Sequence, residues 1–336
     1  MNKYMNAAVI HRYGQKNLEL TKIEIPKISS DDLLVEIHAA SINPIDYKVR
    51  DGKVKMLLSY KMPLVLGNDF SGVIVKVGKS VTEFQVGDEV YGRPRKSRIG
   101  TFAEYIAIHK DDIAIKPKNL SFEEAAAIPL IGLTTYQAFY DIMQIKPNDK
   151  VLIQAGSGGV GTFAIQLAKL MGAYVATTTS SRNEALVKRL GADKVINYKN
   201  ENFEDILSDY DYVYDTLGGE ALQNSFKILK PGGKIVSLSG TPNYRFAKAY
   251  GLNLWKSLLL KFATRKLTDL EKQYEVEYHF LFMKPSGTQL EIIREFIEAK
   301  KIVPIIDRVV LMDDIQKAFE YSESGRAKGK VIVKIK

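Results

Sequence analysis

The stretch Gln154-Ala155-Gly156-Ser157-Gly158-Gly159-Val160-Gly161 limits what this chain can fold into more than any other part of it. It follows an apolar run, Lys150–Ala155, and opens a helical run, Val160–Met171, so the glycines stand where a strand turns into a helix. Glycine there lets the backbone turn tightly and approach a ligand, and the first N–H groups of the helix favour an anion such as a pyrophosphate. The alternation continues with strands at Tyr174–Thr178, Val195–Tyr198, Tyr210–Asp215 and Lys234–Ser239 and helices at Asn183–Leu190 and Ala221–Leu229. Such a pattern implies an α/β architecture with a doubly wound parallel sheet that binds a dinucleotide.

The texture before this region differs. From Met5 to about Ile115 short β-branched runs are broken by Gly78, Gly87-Asp88 and Gly100, which predicts a barrel or sandwich. A helix follows, with Ser121 as N-cap and Glu124 completing a capping box. A strand at Glu277–Met283 and a helix from Ser286 to Lys300 close the nucleotide-binding region. Runs at Arg308–Leu311 and Lys330–Ile335 read as strands returning to the first domain. The expected division is therefore a β-rich domain over residues 1–122, a nucleotide-binding domain over 123–291, and a return to the first over 292–336. Residues 241–274 are basic and partly amphipathic, with Leu252, Leu254, Trp255, Leu258, Leu259 and Phe262, and read as a helical excursion from the sheet, with a lid over the site as the lesser alternative.

Composition removes several classes of chemistry. With no cysteine in 336 residues, disulfides, thiolate nucleophiles and zinc sites that need Cys are excluded. His11, His38, His109 and His279 lack metal-ligand spacing, and His38 lies in an alternating strand pattern, so no metal site is expected. The net charge of +9 admits an anionic partner. Its clusters, Arg93, Arg95, Lys96 and Arg98 and then Lys256, Lys261, Arg265 and Lys266, lack the aromatic interleaving of a single-strand binder. They read as solvated surface, with no dedicated nucleic-acid face. No apolar run approaches the ~20 residues that span a bilayer, so membrane insertion is not expected and a cytoplasmic protein is the default.

The second strand of the nucleotide region should end in an acid if the ligand were NAD, because a carboxylate accepts from the ribose 2′-hydroxyl. It ends instead in Thr179-Ser180-Ser181-Arg182. Hydroxyls and a guanidinium suit a 2′-phosphate, so the expected cofactor is NADPH.

Several motifs in order along the chain resemble the zinc-independent quinone-oxidoreductase branch of the medium-chain dehydrogenase/reductase superfamily. They are Ser41-Ile42-Asn43-Pro44-Ile45-Asp46-Tyr47-Lys48-Val49-Arg50, Leu66-Gly67-Asn68-Asp69-Phe70-Ser71-Gly72, Ile128-Pro129-Leu130-Ile131-Gly132-Leu133-Thr134-Thr135-Tyr136 and Gly325-Arg326-Ala327-Lys328-Gly329-Lys330-Val331. The resemblance implies a GroES-like β-rich catalytic domain, a Rossmann domain, a cleft between them for the nicotinamide, and a homodimer. In zinc-dependent members the positions of Asn43 and Asn68 would carry metal ligands, which these amides replace. The resemblance also implies that Asn43 and Thr134 serve the nicotinamide end, while Ser180, Arg182 and Tyr198 surround the 2′-phosphate. Leu217, Gly218, Leu238, Ser239, Gly240 and Phe280 would border the path between adenosine and nicotinamide, with Lys330 closing over it.

Without a Lewis acid, alkoxide stabilisation is hard and reduction is easier. The acceptor expected is a quinone or similar conjugated carbonyl. Asn43, Asp46, Tyr47 and Lys48 are the candidate catalytic residues, and Tyr47 and Lys48 can hydrogen-bond the oxygen where charge arrives. A 2-alkenal or enone double-bond reductase is the neighbouring reading. A non-catalytic NADPH-binding protein, a sensor or RNA-associated factor, is the reading from another class.

Overall fold

The computed structural model describes residues 3–336 as two compact units, one of residues 3–133 and 284–336 and the other of residues 134–283. Met1 and Asn2, assigned above to the first domain, lie outside the described residues.

The first unit is built on the strand Asp32–Ile42, whose side chains are almost all buried on both faces. It pairs antiparallel with Phe70–Val77, Tyr105–His109 and the C-terminal strand Lys330–Lys334. The last pairing sets Val331 opposite Ile42, which brings the end of the chain to the start of the first motif. Leu33, Val35, Ile37, Phe70, Ile74, Val90 and Ile106 form the core inside this sheet. Beside it, a three-stranded sheet joins Tyr4–Ile10 to Glu19–Glu24 and Leu64–Val65.

Two departures from the sequence reading concern this unit. The region expected to be all-β contains a helix, Pro44–Arg50. Proline at its first position costs no hydrogen bond, and the Asp46 carboxylate reaches back 2.7 Å to the Asn43 backbone N–H. Arg50, buried in its last turn, forks onto Glu323 at 2.6 and 3.1 Å and ties this helix to the helix Ile315–Glu323. Second, residues 123–133 and 284–291, expected in the nucleotide-binding domain, fall in the first unit. The helix Phe122–Ala126 packs on the strand Asp32–Ile42, with Ser71 Oγ donating to the Phe122 carbonyl. The helix Gly287–Glu298 packs on Ile113–Ile115, with the Tyr91 hydroxyl donating 2.6 Å to the Leu290 carbonyl.

The basic loop expected to be solvated surface is instead structural. Arg95 makes a forked pair with Asp112 at 2.8 and 2.9 Å, and Arg98 does the same with Asp32 at 2.7 and 3.0 Å. Arg93 is buried. The β-bulged, glycine-broken chain leaves carboxylates facing inward, and planar guanidinium forks match them better than water does.

The second unit is a six-stranded parallel sheet in the spatial order Lys194–Asn197, Tyr174–Thr179, Lys150–Ile153, Tyr210–Asp215, Leu229–Ser237, Glu277–Phe280. The first strand in sequence, Lys150–Ile153, lies in the middle, and successive strands run outward from it in both directions. That reversal is the switch point of a doubly wound sheet, where the loops after the carboxyl ends part. Residues 241–274 form three helices, Tyr244–Ala249, Leu254–Ala263 and Arg265–Tyr274, as the expected helical excursion. No helix among the described residues is long and apolar enough to cross a membrane.

Candidate active site

The glycine run leaves the strand Lys150–Ile153 and enters the helix Gly159–Leu170. A Cβ on Gly156 would stand 2.1 Å from Thr177 Oγ1, and one on Gly161 would stand 2.5 Å from the Ala155 carbonyl oxygen and 2.6 Å from Gly156 Cα. These two glycines are demanded by the protein's own packing. Gly158 is different: a Cβ there would meet only the Ala155 oxygen at 3.3 Å, and its φ of −79° suits any residue. The fold does not require glycine at Gly158, so the bare backbone there leaves room for a ligand. The N–H groups of Gly159, Val160 and Gly161 precede the bond from the Thr162 N–H to the Gly158 carbonyl, and N–H groups at a helix start are the donors that anions use. The residues present fit a dinucleotide pyrophosphate.

Side chains fix this loop. The Ala155 N–H donates to Thr178 Oγ1 at 3.0 Å, which supports the left-handed φ of 51° at Ala155. Ser157 Oγ sits 3.0 Å from Thr179 Oγ1 and accepts from Asn183 Nδ2 at 2.9 Å. Ser180 follows at the edge, and Arg182 is exposed with its side chain turned to solvent. Tyr198 is also exposed, its backbone N–H reaching the Thr179 carbonyl at 3.3 Å.

The remaining nucleotide-side candidates gather at the carboxyl ends of the later strands around a buried hub. Asp215 accepts from the N–H groups of Leu217 at 3.0 Å and Gly218 at 2.8 Å, and from the Ser237 hydroxyl. Ser237 Oγ in turn accepts from the N–H groups of Ser239 at 3.3 Å and Gly240 at 2.8 Å. One carboxylate and one hydroxyl thus hold both loops. Burial raises the Asp215 pKa above the usual carboxylate range, with Ser237 and the two backbone donors opposing. Gly218 is at φ 72° and a Cβ there would stand 2.7 Å from the Ser239 carbonyl oxygen. Leu238 is partly buried, Leu217 is exposed, and Phe280 meets Phe246 edge to face at 5.1 Å. Thr134 is buried in the helix Pro129–Tyr136. Asp215, Ser237, Asn183 and Thr178 escaped the sequence reading. For Asp215 and Ser237 the signal was a polar residue closing an otherwise apolar strand.

In the first unit Asn43, Asp46, Asn68, Asp69, Ser41 and Lys330 form a buried polar knot. Asn43 Nδ2 donates to Asp69 Oδ1 at 3.0 Å and to the Ser41 carbonyl at 3.2 Å, while its Oδ1 accepts from the Lys330 ammonium. Lys330 also reaches the Ile42 carbonyl at 3.2 Å and lies 4.0 Å from Asp69 Oδ2. Ser41 Oγ donates 2.6 Å to Asp69 and Asn68 Nδ2 donates 2.7 Å to Asp46. Lys330, expected beside the cofactor path, therefore spends its charge inside this knot.

One ammonium faces two carboxylates, and burial works against charge on all three. It lowers the Lys330 pKa, raises that of Asp69 against the pull of Lys330 and the Ser41 and Asn43 donors, and raises Asp46 to about 7. Asp46 has the added repulsion of Asp69 and lacks a direct bond to the cation. Asp69 is the carboxyl that lies beside the cation, while Asp46 is held by the Asn43 backbone N–H and the Asn68 amide. Tyr47 and Lys48 stand half-buried on the same helix as Asp46. Burial, with Glu323 adding to it, pushes the Tyr47 hydroxyl up to about 12, so it remains a donor across working pH. Burial also lowers the Lys48 pKa, helped by Lys53.

The family described as "Alcohol dehydrogenase GroES-like domain" matches residues 29–118, and that described as "Zinc-binding dehydrogenase" matches residues 190–333. A 2-methylene-furan-3-one reductase of Solanum lycopersicum is 36% identical over 93% of this chain and 74% of its own length. The NADPH-dependent alkenal/one oxidoreductase, chloroplastic, of Arabidopsis thaliana is 33% identical over 98% and 80%. Among solved structures, the quinone oxidoreductase from Coxiella burnetii superposes with a TM-score of 0.85 at 33% identity, covering 99% of this chain and 100% of that one. The chain belongs to the medium-chain dehydrogenase/reductase superfamily. Its α/β fold, with a GroES-like unit and a parallel-sheet Rossmann unit, is that of the superfamily.

The zinc in the second family's description does not fit the residues found here. Asn43 and Asn68 turn N–H donors toward carboxylates, and the one amide oxygen of Asn43 already faces an ammonium. A divalent cation would meet donors and a positive charge where it needs lone pairs. Among the described residues no group of three or more His, Cys, Asp or Glu could hold a metal.

Proposed function

We propose that this protein is an NADPH-dependent oxidoreductase that reduces a quinone or a related conjugated carbonyl without a metal. The observation carrying the cofactor half is the glycine run with Gly158 left bare at a helix start, together with Ser180 and Arg182 where an NAD enzyme would carry an acid. Bound NADPH supplies a hydride. The protein's own groups hold it and order the acceptor. Gly156 to Gly161 take the pyrophosphate. Thr179, Ser180, Arg182 and Tyr198 take the 2′-phosphate end. Leu217, Gly218, Leu238, Ser239, Gly240 and Phe280 line the path, and Asn43 and Thr134 serve the nicotinamide.

A quinone or enone receives the hydride at carbon and places the resulting charge on oxygen. Tyr47, a donor that keeps its proton, and Lys48 stabilise that oxygen until solvent protonates it. Lys330 and Asp46 do not touch the acceptor in this scheme; they position Asn43 and the helix Pro44–Arg50.

The relatives named for alkenal/one and 2-methylene-furan-3-one reduction favour a second acceptor class, the activated carbon–carbon double bond. Consumption of NADPH against a panel of quinones, 2-alkenals, enones and saturated alcohols, with and without EDTA, tests both. Turnover with quinones or enones, unaffected by chelation, is expected. Loss with EDTA and recovery with zinc would overturn the metal-free reading, and activity with no acceptor would leave an NADPH-binding protein without turnover. A homodimer that pairs sheet edges, and a cytoplasmic location, belong to the same proposal. A scattering mass of one 37.7 kDa chain would exclude the dimer.

A further inference from the structure

The helix Leu254–Ala263 has the usual amphipathic arrangement turned outward. Ser257 and Leu260 face the protein and are buried, and Thr264 just past its end is buried too. The opposite face is apolar and bare: Trp255 is 77% exposed, Phe262 76%, Leu254 72% and Leu259 56%, with Leu258 beside them. At about 100° per residue these five side chains cover an arc of about 140°. Lys261 lies just beyond one edge of that arc, and Lys256 lies beyond the other. Arg265 and Lys266 follow, exposed, at the start of the next helix. Across residues 241–274 there are seven basic side chains against two acidic ones, more than half of the chain's excess of +9.

Charge decides what covers this face. Two copies meeting through it would press lysine rims against each other, and like charges at a contact rim oppose association. An anionic bilayer offers the reverse: negative headgroups for the lysines, whose stems can snorkel upward, above an acyl boundary for tryptophan, phenylalanine and leucine. We propose that the helix Leu254–Ala263 docks the protein on the surface of an anionic lipid bilayer, lying in the interface plane without crossing it. This proposal stands apart from the choice of acceptor.

Trp255 is the only tryptophan in the chain, so its fluorescence reports on the proposed contact alone. With vesicles of phosphatidylglycerol and phosphatidylcholine in equal parts, the full-length protein should sediment with lipid and its emission should shift to the blue. High salt should reverse both, and phosphatidylcholine alone should produce neither. The double variant Lys256→Gln, Lys261→Gln should partition about 30-fold more weakly, at roughly fivefold per lysine near an anionic surface. Phe262→Asp should abolish binding. Both variants should melt as the parent does and turn over a water-soluble quinone at the parent rate.

No shift with either vesicle, or equal shifts with both, overturns the proposal. A blue shift that grows with protein concentration in the absence of lipid, together with a rise in mass over the same range that Phe262→Asp abolishes, would instead make the face a self-interface and also overturn it.

Discussion

The two units build their candidate sites by opposite means. The nucleotide loop is a backbone site: glycines, a helix start and strand ends that lie within about 25 residues of one another in sequence. The knot in the first unit is a side-chain site, assembled from segments as far apart as Asn43 and Lys330, with charges buried where water cannot help them. A backbone site tolerates exchange at its rim but not at its turns. A buried ionic site is sensitive at every member, because removing one partner leaves another uncompensated.

The largest effect should therefore come from Lys330. Lys330→Met keeps most of the apolar stem and removes the charge, leaving the Asp69 carboxyl buried with only neutral donors. A loss of about 3–5 kcal/mol in stability is expected, read as the denaturation midpoint of the variant. Adding Asp69→Asn should recover a substantial part of it, since the orphaned charge goes too. Single and double variants that lose equally would mean that Lys330 contributes packing alone.

Asp46 sharpens the same point through pH. Its folded pKa of about 7 lies above the ordinary value of 3.8, so the folded protein binds a proton that the unfolded chain has released between these limits. The resulting stability is fully present below about pH 4 and is lost as pH rises through 7, with an upper bound of about 4 kcal/mol. Burial is the main cause, so Asp46→Asn, neutral at every pH, should flatten that part of the profile. Thermal melts of parent and variant between pH 5 and 8 check it: the gap should move in favour of the variant as pH rises. A constant gap would show that Asp46 does not titrate in this window.

These two predictions mark what the sequence could and could not convey. The parallel sheet, its glycine loop and the strand-end loops were legible because each is local: apolar alternation, a glycine spacing and a break. The helix Pro44–Arg50 hid among strands because it has only seven residues, too few for periodicity to register, although Pro44 and Asp46 at its start signal one. The arginine forks onto Asp112 and Asp32 and the Lys330–Asn43 contact could not be read, since nothing local announces a partner tens or hundreds of residues away. Boundaries at 122 and 291 missed for the same reason. The helices at these boundaries, Phe122–Ala126 and Gly287–Glu298, pack on strands of the first unit, a tertiary fact that no pattern in the helices encodes.

Within the backbone site, two glycines three residues apart should behave differently. Gly161→Ala forces a Cβ against Ala155 and Gly156 backbone, which cannot rotate away, and should cost about 1–3 kcal/mol of stability as well as cofactor binding. Gly158→Ala meets only one oxygen at 3.3 Å, so its melting should stay close to the parent while NADPH binding falls sharply. The pair of measurements, melt and titration, separates a glycine needed by the fold from one needed by the ligand. Equal melting losses, or unimpaired NADPH binding in Gly158→Ala, would remove the reason for placing the pyrophosphate there.

The smallest effect belongs to the rim. Arg182 is exposed beside Ser180, at the end of a strand where a carboxylate would repel a 2′-phosphate. A phosphate at neutral pH carries close to two charges and gains from a guanidinium, but an exposed pair is screened by salt. The low end of the range for a charge-assisted hydrogen bond applies, so Arg182→Ala should weaken NADPH by about 10-fold and leave NADH nearly unchanged. The readout is the ratio of the two kcat/KM values, which cancels any general loss of folding or turnover. Raising ionic strength should shrink the parent's preference toward that of the variant, as an exposed contact requires. If the parent prefers NADH, or if the variant loses both cofactors alike, the arginine is surface and the selectivity resides elsewhere along the strand ends.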